Sequence, residues 1–341
     1  MNRPSIIHKD AAQQRLLPNW TDYAEERSRF TWEQARLSLQ GLPGGGLNMG
    51  FEAVDQHAAS TLRYHAALRF VSNDRPTLEL NYADLARQTN RFANVLQSLG
   101  VGKGDRLFLL AGRIPELYIA LLGALKNGTV VTPLFSAFGP EPIATRIQLG
   151  VGQVLVTTDA LYQRKVRQVR AQMPSLRHIP LVAEDGGSTH EPDTLDLAAL
   201  MTEASGSFET VATTEDDPAL LHFTSGTTGT LKGALHVHGA AVAHLATAPT
   251  AIRMLMKADP DLAKRQCYPC LRFIASVGEP LNPEAVWWGQ QALGLPIHDN
   301  WWQTETGGIM IASTPAFDIK PGSMGRPLPG IDAFIVEHLE A

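Results

Sequence analysis

A chain that runs Leu220-Leu221-His222-Phe223 straight into Thr224-Ser225-Gly226-Thr227-Thr228-Gly229-Thr230-Leu231-Lys232-Gly233 carries a segment suited to holding an anion. The apolar residues predict a buried strand. Gly226, Gly229 and Gly233 then allow backbone shapes and close approaches that side chains block, so that peptide N–H groups can converge on one point. The Thr and Ser hydroxyls add donors, and Lys232 adds a cation able to neutralise a phosphate oxygen. The plain alternative is a Gly/Thr-rich turn with no ligand. A Walker A loop reads G-x-x-x-x-G-K-[ST], whereas this segment reads Gly226-x-x-Gly229-x-x-Lys232-Gly233, so the ordinary P-loop ATPase fails on spacing.

Other chemistry-bearing residues point less far. The 2 cysteines, Cys267 and Cys270, have Cys-x-x-Cys spacing. A zinc site needs a second pair of ligands at matching spacing, and a thioredoxin-like pair should follow a strand near the start of a small domain. Neither context is present, and the two read as reduced thiols before a buried strand; the competing thiol-oxidoreductase reading rests on their spacing alone. His236, His238 and His244 lie close together but have no carboxylate partner in sequence, and they read as polar residues of a strand end and a following helix.

The elements that must position these residues alternate along the chain. Apolar positions Leu85, Phe92, Val95, Leu96 and Leu99 recur at helical spacing from Tyr82 to Leu99, and Gly100 is placed to cap that helix. A strand is predicted over Arg106 to Ala111, then a helix opened by Pro115 and running to Gly128, then a strand over Thr129 to Leu134. A helix from about Glu141 to Gly150 and a strand at Val154 to Thr157 repeat the pattern. Such alternation predicts an α/β fold, with mainly parallel sheets flanked by helices and ligands at the carboxyl ends of the strands. Ala183 to Asp193 lacks periodicity and reads as an exposed loop, while Trp20 to Leu42 is amphipathic and stops at Pro43-Gly44-Gly45-Gly46.

Length and composition bound the reading. The 341 residues exceed the usual span of one core, and 44% hydrophobic with 18% charged residues is an ordinary globular balance. The expected division is an N-terminal extension over 1–46, a first α/β subdomain over 47–214 and a second over 215–341. A net charge of -5 excludes a generic nucleic-acid binder. Met1 to Asp10 turns polar too early for a signal peptide, and no apolar run could span a bilayer, so a cytoplasmic protein with no membrane partner is expected.

The loop ending in Lys232-Gly233 resembles the signature of the adenylate-forming superfamily, which includes acyl-CoA synthetases, peptide-synthetase adenylation domains and luciferases. Ala275-Ser276-Val277-Gly278-Glu279-Pro280-Leu281 and Asp299-Asn300-Trp301-Trp302-Gln303-Thr304-Glu305-Thr306-Gly307 resemble its adenine- and adenylate-binding motifs, in the family's order. The double tryptophan, the block Lys320-Pro321-Gly322-Ser323-Met324-Gly325-Arg326-Pro327-Leu328-Pro329-Gly330 and the block Leu47-Asn48-Met49-Gly50-Phe51-Glu52-Ala53-Val54-Asp55 are similar to those of acetyl-CoA synthetases.

The resemblance implies ATP-dependent activation of acetate or another short carboxylate to an acyl-adenylate, followed by transfer to coenzyme A. By the same resemblance Thr224 to Lys232 hold the β- and γ-phosphates, Gly278, Glu279 and Pro280 line the adenine side, and Asp299 to Thr304 belong to the nucleotide site. Thr304 approaches the α-phosphate, Glu305 holds Mg²⁺, and Val277 and Trp302 bound the acyl group, with core packing as the alternative for both tryptophans. In the family a long stretch separates the segments matching Gly239–Thr247 and Ala248–Met256, which here are joined directly, and a C-terminal domain carrying the adenylation lysine follows. The expected consequence is a ligase by descent that is impaired or inactive alone. The alternative is a non-catalytic ATP- or adenylate-binding remnant.

Overall fold

A computed structural model describes residues 5–8, 22–37, 39–71, 76–184, 186–225, 231–240, 271 and 273–334. The chain divides into two compact units, one of Leu39–Ala241 and one of Met1–Ser38 with Val242–Ala341.

In the Leu39–Ala241 unit the strands are β1 (Ala66–Phe70), β2 (Leu78–Asn81), β3 (Arg106–Leu110), β4 (Val130–Pro133), β5 (Val154–Thr158), β6 (Pro180–Val182), β7 (Leu195–Asp196), β8 (Pro218–Ser225) and β9 (Leu231–Val237). β1 and β2 pair with each other, and the rest form a 7-stranded sheet in the order β7-β6-β5-β3-β4-β8-β9. All its neighbours are parallel except β8 and β9. Helices cover both faces, so the central strands are largely apolar and their residues alternate between two cores. Leu107, Leu109, Val131, Val154 and Val156 pack with Phe92, Leu96, Ala120 and Ala124 of the helices Tyr82–Ser98 and Pro115–Lys126. Phe108, Leu110 and Leu155 point the other way, against Ile143 and Ile147 of the helix Pro140–Leu149 and against Val166, Val169 and Met173.

The predicted strand–helix–strand unit is present within a residue or two of its expected bounds, and Asn81 starts the Tyr82–Ser98 helix by accepting from the Asp84 N–H at 2.8 Å. Between Ala183 and Asp193 the described residues contain no strand or helix.

The expected boundary at residue 214 falls elsewhere in the contact-defined division. The strand leading into the Gly/Thr loop pairs with the first sheet, Val131 opposite Leu220, and so joins the Leu39–Ala241 unit.

The second unit holds β10 (Ile274–Ser276), β11 (Ile297–Trp301), β12 (Ile311–Ala312) and β13 (Arg326–Pro327) in a 4-stranded sheet of that order. β10 and β11 are parallel and are connected through the helix Pro283–Ala292, whose first turn Asn282 caps by accepting from the Ala285 N–H at 2.9 Å. Leu281, Ala285, Val286, Ile297 and Ile319 form its small core.

Much of the expected N-terminal extension belongs to this unit. Ile7 and Ile319 exchange backbone hydrogen bonds of 2.8 and 3.0 Å, the Tyr23 hydroxyl donates to Pro327 O at 2.8 Å, and Arg27 pairs with Asp332 at 2.6 Å. The Arg326 guanidinium lies over the rings of Tyr23 and Phe317, at 5.4 and 4.7 Å. Residues 39–46 belong instead to the other unit, where the N–H groups of Gln40 and Gly41 donate to the Glu52 carboxylate. Among the described residues, no helix is long and apolar enough to cross a membrane.

Candidate functional site

The strands that flank the Gly/Thr segment pair antiparallel: β8 and β9 set Phe223 opposite Gly233, Thr224 opposite Lys232 and Ser225 opposite Leu231, so the segment begins at the carboxyl end of β8. Gly226, Thr227, Thr228, Gly229 and Thr230 lie outside the described residues, as do His244, the Thr247–Ala248 junction, Cys267 and Cys270. Lys232 is exposed and Thr224 half-buried. At Gly233 a Cβ would come within 2.9 Å of Leu221 Cδ1, so a glycine there suits the close crossing of the two strands.

Two histidines of this strand pair face each other, with the rings of His222 and His236 5.7 Å apart. Burial, and then the neighbouring His236, hold His222 below the usual histidine range. His238 follows β9 in a short 3-10 turn and is fully buried. Its Nδ1 accepts the Met49 N–H at 3.0 Å, and burial pushes its pKa down to about 4, with Asp217 opposing and Lys103 adding to the shift. The block Leu47 to Asp55 is thereby pinned to the end of β9. Asn48, also fully buried, donates to Leu125 O and Thr213 Oγ1 and accepts from the N–H groups of Gly50 and Phe51. The His-x-His spacing carried no signal of this anchoring, because the partner lies far away in sequence.

In the second unit the other motifs leave the carboxyl ends of neighbouring parallel strands. β10 ends at Ser276, paired in register with Asp299 of β11. Val277, Gly278, Glu279 and Pro280 follow β10, with Gly278 at φ 99; Val277 and Glu279 are half-buried, Gly278 and Pro280 exposed. Asn300 and Trp301 complete β11, and Trp302, Gln303, Thr304 and Glu305 form the turn beyond it. Trp302 and Thr304 are half-buried, while Trp301, Gln303 and Glu305 are exposed. The Thr306 hydroxyl fixes this turn: it accepts the Gln303 N–H at 3.0 Å and donates to the Gln303 or Gly308 carbonyl at 2.9 and 3.1 Å. Thr224 and Lys232 belong to the Leu39–Ala241 unit.

Asp299 is nearly enclosed at 9% exposure. Burial raises its carboxyl to about 6, opposed by hydrogen bonds from the backbone N–H groups of Asn300 and Leu281. The Asn300 amide donates to Ser276 O across the strands at 3.0 Å. Among the described residues, neither Asn300 Oδ1 nor Ser276 Oγ, both buried, has a hydrogen-bond partner.

No cluster of metal-ligating side chains occurs among the described residues. An exposed carboxylate such as Glu305 suits Mg²⁺, which takes most of its oxygens from phosphates and water.

A mainly parallel α/β sheet whose β8 ends at the Gly/Thr segment, with a second unit whose motifs follow the carboxyl ends of parallel strands, defines an α/β protein with candidate binding residues at strand ends. The AMP-binding enzyme family matches residues 55–248 and 240–341, and the chain belongs to that family. The acetyl-coenzyme A synthetase of Bacillus subtilis (strain 168) is 33% identical over 386 aligned positions, covering 94% of this chain and 66% of the relative. That of Methanothrix thermoacetophila is 30% identical, covering 86% and 57%. The chain thus spans under two thirds of the length of these curated relatives. The 386 aligned positions exceed the 341 residues of the chain, so the alignment crosses positions that this chain lacks.

The crystal structure of Brucella canis acyl-CoA synthetase superposes with a TM-score of 0.80 at 28% identity, covering 91% of this chain and 67% of that one. The anthranilate CoA ligase AuaEII, solved with anthranoyl-AMP, shares the fold with a TM-score of 0.72 at 19% identity, covering 83% and 65%.

Proposed function

We propose that this chain is an acetate–CoA ligase by descent: it binds ATP, activates acetate or another short carboxylate as an acyl-adenylate, and passes the acyl group to coenzyme A in the cytoplasm. The observation that carries the reading is the placement of the motifs around Gly278 and Thr304 at the carboxyl ends of β10 and β11, beside strands in register at Ser276 and Asp299. The family match and the acetyl-coenzyme A synthetases similar to the chain support the substrate class.

In this reading the protein positions reactants and neutralises charge. The loop Thr224, Ser225, Gly226, Thr227, Thr228 and Gly229 wraps the β- and γ-phosphates, and Lys232 neutralises their charge. Gly278, Glu279 and Pro280 take the adenine side, with Asp299, Asn300, Trp301 and Gln303 completing the nucleotide site. Thr304 approaches the α-phosphate, where the carboxylate attacks and pyrophosphate leaves. Glu305 is the residue that would hold Mg²⁺, which supplies charge neutralisation at the phosphates when bound. Trp302 and Val277 close the acyl pocket and limit it to small acids. One methylene in such a pocket discriminates by only about 1–3 kcal/mol, so acetate and propionate are both substrates.

The direct test is acetate-dependent pyrophosphate release from ATP by the purified chain, repeated with longer acids and with Trp302→Gly. Release with acetate, extended to longer acids by the variant, supports the reading; release unaffected by the choice of acid contradicts it. A second reading, a non-catalytic nucleotide-binding remnant, is favoured by the way the family match falls into two segments that overlap at 240–248 and by an alignment to a relative that is longer than the chain itself. Its signature is ATP binding without pyrophosphate release.

A further inference from the structure

Resting on the nucleotide-binding reading, we infer that Thr306 is a positioning residue: its hydroxyl braces the loop between β11 and β12 from within and so sets where Thr304 meets the α-phosphate and Glu305 meets Mg²⁺. At the base of this loop the Met310 N–H donates to Trp301 O at 3.0 Å. Inside it, the Gln303 carbonyl accepts the N–H groups of Thr306 and Gly307 at 3.1 and 3.3 Å, which occupies both of its lone pairs. The Thr306 hydroxyl accepts the Gln303 N–H at 3.0 Å. Its own proton can reach Gln303 O at 2.9 Å or Gly308 O at 3.1 Å, and because the first is already filled the second is the better acceptor. Accepting on one side and donating on the other, Thr306 joins the two legs of the turn on which Thr304 and Glu305 stand.

The single proton of that hydroxyl decides between holding the turn and binding a nucleotide. Phosphate oxygens are acceptors and need a donor. Thr306 uses its only side-chain proton inside the turn, which leaves it an accepting lone pair and nothing to offer a phosphate. It therefore acts through its neighbours: half-buried Thr304 and exposed Glu305 lie between Gln303 and Gly308, the two residues that the hydroxyl bridges. Without the hydroxyl the Gln303 carbonyl keeps its two backbone donors, so the turn persists, while the Gln303 N–H and the Gly308 carbonyl lose their common brace. The loop then samples more than one shape, and apparent affinity falls with the fraction that remains competent to bind. Thr306 lies outside the small core of Leu281, Ala285, Val286, Ile297 and Ile319, so changing it leaves that core intact.

The test compares the full chain with Thr306→Val, which keeps the side-chain shape and removes the hydroxyl, and with Thr306→Ser, which keeps the hydroxyl. ATP affinity is measured across a Mg²⁺ titration, and amide exchange at Gln303 is measured without nucleotide. Thr306→Val weakens ATP binding about tenfold and raises the Mg²⁺ concentration at which affinity is half-maximal, while Thr306→Ser stays within about twofold of the wild type. The Gln303 amide loses protection in Thr306→Val and keeps it in Thr306→Ser. A merely structural residue would lower the melting temperature and leave the Mg²⁺ dependence as it is in the wild type. Wild-type affinity and Mg²⁺ dependence in Thr306→Val, or equal weakening in Thr306→Ser, overturns the inference. Absence of ATP binding by the wild type refutes the nucleotide-binding reading instead; the Gln303 amide then still decides the brace, which lost protection in Thr306→Val supports and unchanged exchange overturns.

Discussion

Replacing Asn48 by Ala removes a side chain that is fully buried and makes hydrogen bonds in four directions. Not all of its partners are stranded by the change. Thr213 keeps its own bond to Leu47 O at 2.7 Å, and Leu125 O still accepts the Gly128 N–H at 3.0 Å. The N–H groups of Gly50 and Phe51 lose their acceptor in the first turn of a helical segment. At about 1–3 kcal/mol for each buried group left unsatisfied, partly offset by water entering the space, the expected loss is about 3 kcal/mol.

The assay must follow the right unit. Trp20, Trp32, Trp287, Trp288, Trp301 and Trp302 all lie outside Leu39–Ala241, so tryptophan fluorescence reports the other unit, and far-UV circular dichroism in urea is required. The circular dichroism transition should move to lower urea at unchanged slope. A loss below about 1 kcal/mol would refute the assignment of this block as a buried anchor.

At Gly325, with φ 103, a Cβ would lie 2.1 Å from Ala312 O, and backbone cannot yield as a side chain can. Gly325→Ala should therefore cost at least about 3 kcal/mol, read as an earlier tryptophan-fluorescence transition in urea; a change under about 1 kcal/mol would show that β12 and β13 do not pair as described. His238, lowered to about 4 in the folded chain, contributes stability that is full above the ordinary histidine pKa of 6.5 and is lost as pH falls from there to about 4, at most about 3 kcal/mol. His238→Asn, which keeps an acceptor for the Met49 N–H but does not titrate, should flatten that acid limb in thermal melts; an unaltered limb would exclude His238 as its source.

The central elements of the large sheet were legible because strands buried on both faces are largely apolar and the Tyr82–Ser98 helix shows apolar residues at helical spacing. Arg106 to Ala111 and Val154 to Thr157 match β3 and β5 closely for that reason. Strands as short as Leu195–Asp196 or Ile311–Ala312 have no period to read. The contacts of Ile7 with Ile319 and of Tyr23 with Pro327 within the second unit were hidden too, since they span some three hundred residues and the helices Tyr23–Arg29 and Trp32–Arg36 have no buried residue to mark them.

At the candidate site, motif order picked out the residues proposed to bear the chemistry, and resemblance supplied the roles proposed for them. The supporting bonds were invisible: Asn300 read as one member of a nucleotide motif, while its amide donates to Ser276 O on the neighbouring strand at 3.0 Å. Sequence spacing identifies groups that face a ligand more readily than groups that hold those groups in place.

The most direct test is the melting temperature of the purified chain with and without ATP and Mg²⁺, alongside Lys232→Ala. Saturating nucleotide at a hundredfold excess over its dissociation constant stabilises by about 2.7 kcal/mol, and the account predicts a rise in melting temperature for the wild type that Lys232→Ala largely abolishes. No rise in the wild type, or the same rise in both proteins, would contradict the claim that the loop ending in Lys232 binds the phosphates of ATP.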